Sequence, residues 1–203
     1  HTRFKCDWSS RRVLFRSGKT TQIQRLKRYL TNKGIPCSVT REPGGCPISE
    51  KIRKILLNPI HREMVPMSEL LLYEAARAQH VKDVIEPLLK KGFVVLCDRF
   101  SDATIAYQGY GRKIDLRLVE SLNRFASQGT RPDITFLLDC PSNLGLKRAL
   151  RRNEALSKEN EGRFESEKVQ FHQRVRRGYL SIAKKEPNRI KVIDTRQGRN
   201  KVF

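Results

Sequence analysis

Gly18-Lys19-Thr20-Thr21 is the stretch on which the reading of this chain turns. It is the back half of a phosphate-binding loop, G-x-x-x-x-G-K-[ST], in which glycines let successive backbone N–H groups curl around phosphate oxygens. The lysine reaches the outer phosphates and the hydroxyl binds Mg²⁺. The glycine required five residues before Gly18 is missing: that position holds Val13, and Val13-Leu14-Phe15-Arg16-Ser17 makes a poor cradle. Either the loop is degenerate or the sequence before Gly18 is not native.

Outward from the loop, hydrophobic patterning alternates between helices and strands. Ile23, Leu26 and Leu30 recur at helical spacing over about 19–33, and Gly34 follows as a C-terminal stop. Cys37-Ser38-Val39-Thr40 reads as a short strand entering the loop Arg41-Glu42-Pro43-Gly44-Gly45. A short helix is expected near 48–57 and a long one over about 68–90, with Pro87 kinking or ending it. Phe93-Val94-Val95-Leu96-Cys97 is a continuous apolar run, the mark of a buried parallel strand, and 134–138 and 190–193 repeat the pattern. This β-α-β-α order implies an α/β fold, a parallel sheet covered by helices on both faces.

Length and composition narrow the class. A chain of 203 residues supports one substantial core and not two full domains. No apolar run approaches 18 residues and the N-terminus lacks a signal-peptide layout, so no membrane span or leader is expected. Cys6, Cys37, Cys46, Cys97 and Cys140 have no metal-ligand spacing and read as free thiols in a reducing cytosol. A net charge of +21 admits nucleic-acid binding or, alternatively, a solvated basic surface on a protein with polyphosphate ligands. Lysines and arginines are spread along the whole chain, with no stacking-aromatic motif, zinc spacing or recognition helix.

Folds of this class bind ligands beyond the carboxyl ends of their strands. That rule groups Arg41-Glu42-Pro43-Gly44-Gly45 and Asp98-Arg99-Phe100 near Lys19. Asp98 can position Mg²⁺ and its waters, and Arg99 can hold a second phosphate as a forked donor; the alternative is a local ion pair ending a strand. On the long helix, Leu71, Ala75, Ala78 and Ile85 form one apolar stripe, with Tyr73 and Arg77 on a face roughly opposite. That ring and guanidinium either stack on a flat base and donate to its carbonyl, or form an exposed cation–π pair. Thr104, Tyr107 and Gln108 at i, i+3 and i+4 either read a base or sugar edge or pack as a polar helix face.

Together these segments carry a resemblance. Gly18-Lys19-Thr20-Thr21-Gln22, Thr40-Arg41-Glu42-Pro43-Gly44-Gly45, Glu69-Leu70-Leu71-Leu72-Tyr73 with Arg77-Ala78-Gln79-His80, and Asp98-Arg99-Phe100 closely resemble the bacterial thymidylate kinase family. Ala106-Tyr107-Gln108-Gly109-Tyr110-Gly111-Arg112, Pro132-Asp133-Ile134-Thr135-Phe136-Leu137-Leu138-Asp139 and Arg163-Phe164-Glu165 extend the likeness, in register, over about 18–194. The resemblance implies a three-layer P-loop kinase fold with a five-stranded parallel sheet and a small mobile lid over about 148–165. It implies transfer of the ATP γ-phosphoryl to dTMP with Mg²⁺, in a cytoplasmic homodimer.

By the same resemblance, Gly18, Lys19, Thr20 and Thr21 would serve ATP, with Thr20 and Asp98 at the metal. Arg99 would hold the dTMP phosphate, helped by Arg41 beside Glu42. Tyr73 would stack on thymine, Arg77 would bond the base, and Thr104, Tyr107 and Gln108 would line that pocket. Arg148, Arg151, Arg152 and Arg163 would be lid arginines, with Lys19, Asp98, Arg99 and Arg163 the catalytic set; the alternative for the lid arginines is a solvated basic helix face.

Departures from the family sit at the ends. Val13, Phe15 and Arg16 stand where it has glycine, an acidic residue that meets the sugar, and commonly glycine or alanine; Gly162 replaces a frequent aspartate. Arg12-Val13-Leu14-Phe15-Arg16-Ser17 matches the translation of a sequencing-library adapter, so residues 1–17 are read as a non-native segment before a single kinase domain over 18–203. The chain also stops at Phe203 inside what would be the family's last helix. Three readings follow: a thymidylate kinase, a basic P-loop protein that binds nucleic acid, or an inactive kinase fragment in which Val13-Leu14-Phe15 partly fills the place of a lost central strand.

Overall fold

A five-stranded sheet runs through the computed structural model, which describes residues 5–7, 19–139, 163–164, 167–196 and 199–203. Strand β1 (Lys5–Asp7) precedes helix α1 (Lys19–Asn32), β2 (Cys37–Arg41), α2 (Pro47–Leu57) and α3 (Pro66–His80). A π-helical segment (Val81–Ile85) joins α3 to α4 (Glu86–Lys90), followed by β3 (Val94–Asp98) and α5 (Ser101–Thr104). A second π-helical segment (Ile105–Gly111) leads to α6 (Leu116–Ala126) and β4 (Ile134–Asp139). Helix α7 (Val169–Lys185), β5 (Ile190–Asp194) and α8 (Arg199–Val202) complete the described chain.

The strands lie in the order β2-β3-β1-β4-β5 and every pair is parallel. All four strands expected, the short one at 37–40 and the three apolar runs, are present within a residue or so of their expected limits. The central place between β3 and β4 is held by Lys5–Asp7, inside the stretch read as foreign. The strand suggested for Val13-Leu14-Phe15 lies outside the described residues.

Alternation along β3 makes the layers. Leu96 packs with Ile23 of α1 and Leu138 of β4 on one face. Val95 and Cys97 pack on the other face with Val81, Ile85, Leu89 and Phe100. Successive side chains of a strand point to opposite faces, so a sheet apolar on both sides must be covered on both. A third cluster joins Leu56 and Leu57 of α2, Leu137 of β4, and Phe171, Val175 and Tyr179 of α7.

Helix boundaries follow local chemistry. Gly34 ends α1 with φ +73°, donating to Thr31 while Ile35 donates to Leu30. Pro47 and Pro66 open α2 and α3, and the Asp115 carboxylate caps α6 by accepting from the N–H groups of Arg117 and Leu118. The long helix expected over 68–90 is divided. Pro87 lacks an N–H and its ring clashes with a carbonyl one turn back; the wider turn of Val81–Ile85 absorbs this, and Pro87 sits in the first turn of α4.

Candidate active site

The carboxyl ends of the strands place Arg41 of β2 beside Asp98 of β3 in register. The loops that follow are tied together, because the Glu42 N–H donates to the Asp98 carbonyl at 3.0 Å. Arg99 follows with φ +75°, a left-handed conformation that costs a non-glycine residue about 1–2 kcal/mol. The strain turns a long cationic side chain inward: Arg99 is buried, and its guanidinium lies 5.2 Å from the Tyr107 ring centroid. Burial disfavours its charge, but Tyr107, Tyr179 and Asp98 more than offset this, so Arg99 titrates above the ordinary arginine range. Its Nη2 and the Asp98 Oδ1 are both buried without a hydrogen-bond partner. Two orphaned polar atoms of opposite charge on adjacent residues are the arrangement expected where a polar ligand supplies the missing bonds.

A pocket opens here. Glu42, Tyr73, Arg77, Arg99, Thr104, Tyr107 and Gln108 line it, with Pro43, Phe100, Ala103 and Phe164. Seven of the eight residues expected to bind the acceptor therefore share one wall system. Arg41 does not line it: both its contacts at Nη2 go to the Glu50 carboxylate, at 2.9 and 3.0 Å. Burial raises Glu50, but the Gly45 N–H and Arg41 prevail and hold it below the usual carboxylate range.

Arg77 is the best-connected side chain of the pocket. Its Nε donates to Glu42 at 2.8 Å, Nη1 to Glu74 at 2.8 Å and to Asn123 at 2.5 Å, and Nη2 to Thr104 at 2.9 Å. Four of the five guanidinium N–H groups are thereby used inside the protein. Burial alone would lower Arg77, yet Glu42 and Glu74 raise it above the ordinary arginine range. Glu74 is itself pushed up, by burial first and by Glu42, against the pull of Arg77. The exposed cation–π pair considered for Tyr73 and Arg77 is not what forms. Arg77 is only 2% exposed and its aromatic neighbour is Phe100, at 5.2 Å. Nor does the apolar stripe coincide with burial, since Leu71 is 50% exposed while Glu69, Glu74 and His80 are buried.

A further buried carboxylate, Glu69, backs the pocket residue Gln108. Glu69 accepts from Gln108, twice from Arg112, and from Arg163 at 2.6 Å. Arg163 is thus a buried residue that also donates to the Leu56 carbonyl, with its guanidinium 4.6 Å from the Phe164 ring centroid. Arg112 continues the chain to Glu167. These four acceptor bonds fill the lone-pair sites of Glu69 and clamp Gln108 into the pocket wall.

Of the residues expected at ATP, Lys19, Thr20 and Thr21 open α1, whose Ile23 packs with Leu96 two residues before Asp98. Gly18, Arg148, Arg151 and Arg152 lie outside the described residues. Cys37, Cys46 and Cys97 are free thiols. Among the described residues no three His, Cys, Asp or Glu side chains gather as a metal cluster, and no helix is long and apolar enough to cross a membrane.

Sequence reasoning missed the residues that hold the pocket rather than touch its contents. Asn123 carries no individual signal, because its partner Arg77 lies 46 residues away in sequence, whereas Glu74 is three residues from Arg77 and Glu69 opens a quoted motif. Phe100 and Phe164 had a signal, each sitting inside a quoted motif beside an arginine.

Comparison with known proteins points to one family. The family model described as "Thymidylate kinase" matches residues 15–203. The chain is similar to the thymidylate kinase of Syntrophotalea carbinolica, 55% identical over 88% of this chain and 82% of the relative. It is likewise similar to that of Geotalea uraniireducens, 54% identical over 89% of this chain and 85% of the relative. Among solved structures, the crystal structure of thymidylate kinase from Ehrlichia chaffeensis superposes with a TM-score of 0.72 at 34% identity, covering 98% of this chain and 93% of that one.

Proposed function

The chain belongs to the thymidylate kinase family, and from that premise we propose that it transfers the γ-phosphoryl of ATP to dTMP, giving dTDP for dTTP synthesis. The observation that carries the reading is the pocket, whose lining brings together two buried guanidiniums, Arg77 and Arg99, with the Tyr73 ring and the polar side chains of Gln108 and Thr104. Arg99 receives the dTMP phosphate, which satisfies its orphaned Nη2. Arg77 offers its fifth N–H to a base carbonyl, while Glu42, Glu74, Asn123 and Thr104 prevent it from turning. Tyr73, 6.4 Å from Phe164 between ring centroids, stacks against the base.

Lys19 and Thr20 serve ATP, with Gly18 and Thr21 donating backbone N–H groups and Arg148 and Arg152 closing over the phosphates from a lid at about 148–165. Thr20 and Asp98 are the residues that would hold Mg²⁺, the Asp98 Oδ1 being buried without a hydrogen-bond partner, and the ion would supply positive charge to the transferring phosphates. Arg163, paired with Glu69, supports this region by anchoring the chain beyond the lid. Arg41 reaches the acceptor phosphate on release from Glu50. A homodimer fits the exposed Ile48, Ile55, Leu71 and Phe125 of α2, α3 and α6, which a second copy would cover.

The test is a coupled assay of dTMP-dependent ADP formation by this chain and by a variant with the loop repaired (Val13→Gly, Phe15→Asp). Turnover of dTMP is expected, rising by roughly tenfold or more on repair of the phosphate cradle. No dTMP turnover by either protein would overturn the proposal. Steeply salt-dependent DNA or RNA binding without kinase activity would favour the nucleic-acid reading instead.

A further inference from the structure

His80, the last residue of α3, is completely buried and does not line the pocket. Its Nε2 lies 2.6 Å from the Thr40 hydroxyl at the end of β2, and its Nδ1 lies 3.0 Å from Glu42 Oε1. The other oxygen of the same carboxylate, Oε2, accepts from Arg77 Nε at 2.8 Å. Glu42 is therefore strung between an imidazole and the pocket guanidinium. Gly45 closes over this contact with φ +89°: a Cβ there would stand 2.4 Å from His80 Nε2 and 2.7 Å from the Thr40 oxygen. The loop after β2 thus leaves no room for the imidazole to be replaced by a larger or rotated group.

We propose that His80 is a positioning residue for base recognition, fixing Glu42 so that Glu42 holds Arg77 in its base-reading orientation; this rests on the reading of Arg77 given above. The direction of the bonds follows from their chemistry. An ionised carboxylate only accepts, so the imidazole carries its proton on Nδ1 and donates to Glu42. With a neutral ring, Nε2 then accepts from the Thr40 hydroxyl, which locks the ring plane. Deprived of the His80 donor, Glu42 keeps one buried oxygen unsatisfied and regains freedom to turn toward Arg77 with both oxygens. A two-pronged grip would rotate the guanidinium and withdraw Nη2 from Thr104, so the N–H facing the pocket would no longer be aimed.

The experiment is calorimetric titration of the full chain with dTMP and with dCMP, in which an amino donor replaces a carbonyl acceptor. In the His80→Gln variant the amide nitrogen takes the place of Nε2 and the donor to Glu42 is lost. Its dTMP affinity is expected to fall by about tenfold, with the preference for dTMP over dCMP narrowing by a similar factor. In His80→Asn the amide nitrogen replaces Nδ1, and both quantities should return to within about threefold of wild type. In a Glu42→Gln background the His80→Gln change should add nothing further. Equal losses in His80→Gln and His80→Asn, or an unchanged dTMP-to-dCMP ratio in His80→Gln, would overturn the proposal. The Arg77→Lys variant separates the two levels: if it narrows the ratio while His80→Gln does not, the positioning role fails and the base contact stands. If Arg77→Lys leaves the ratio unchanged, the base contact fails and the positioning role falls with it.

Discussion

Helix α3 turns Glu69, Glu74, Arg77 and His80 into the protein, while Met67 and Leu71 remain 41% and 50% exposed on its other side. Leu70 and Ala76 are buried beside them, but an ordinary surface helix keeps its charges outward. The difference teaches what each face is for. Buried charges persist only when each has a partner, and here Glu69, Glu74 and Arg77 each have an ion-pair partner, with the Glu74 Oε1 left as the one oxygen of these carboxylates lacking a hydrogen bond. Exposed apolar residues on α2, α3 and α6 have no such partners within the chain, and they are the face proposed above for a second copy.

The sharpest way to break this comparison is to remove a buried charge. Arg77→Met leaves Glu42 and Glu74 buried without their cation and is expected to destabilise the fold by about 3–5 kcal/mol. Urea unfolding measures this; a change under about 1 kcal/mol would mean that Glu42 and Glu74 do not depend on Arg77 as their cation. Glu69→Gln removes the charge shared by Arg112 and Arg163, and is expected to cost about 2–4 kcal/mol in the same measurement. Its weaker effect reflects Arg112, which keeps Glu167 as a second partner.

The opposite face should respond in the opposite way. Leu71→Glu is expected to leave the far-UV spectrum unchanged and the stability of the monomer within about 0.5 kcal/mol. The same change should shift sedimentation from dimer to monomer. A variant that unfolds, or that sediments as the parent does, removes the contrast between the faces.

The smallest effect concerns pH. Glu50 titrates below its unfolded value because the Gly45 N–H and Arg41 outweigh its burial. Its contribution is therefore present above the ordinary carboxylate range and is lost as pH falls through the folded value. Glu50→Gln should flatten the acid limb of a thermal-unfolding profile by a fraction of a kcal/mol, because the pair is largely exposed.

How much of this was legible in the sequence differs between elements for physical reasons. Strand β3 and helix α1 were readable because their apolar periodicity is local and both ends carry stop signals, Gly92 and Gly34. The residues expected at the substrate were readable as motifs, and seven of those eight line one pocket. The burial of Arg77 was not readable. Its charge is neutralised by Glu42, 35 positions away, and its hydrogen bonding is completed by Asn123, 46 positions away, so no window of sequence contains the environment. Arg163 misleads for the same reason: beside a basic, polar stretch it suggests a mobile cation, yet its partner Glu69 lies 94 residues back. The division of the long helix was only half legible, because Pro87 announces a defect but not that a π-helical segment absorbs it.

The central claim is that one pocket takes a nucleoside monophosphate by its base at Arg77 and its phosphate at Arg99. Calorimetric titration of the unmodified chain with dTMP, thymidine and dCMP tests it most directly. The account predicts one dTMP per chain, with thymidine weaker by about a hundredfold for lack of the phosphate and dCMP weaker by about as much for lack of the carbonyl. Equal binding of all three, or no binding of dTMP, would contradict it.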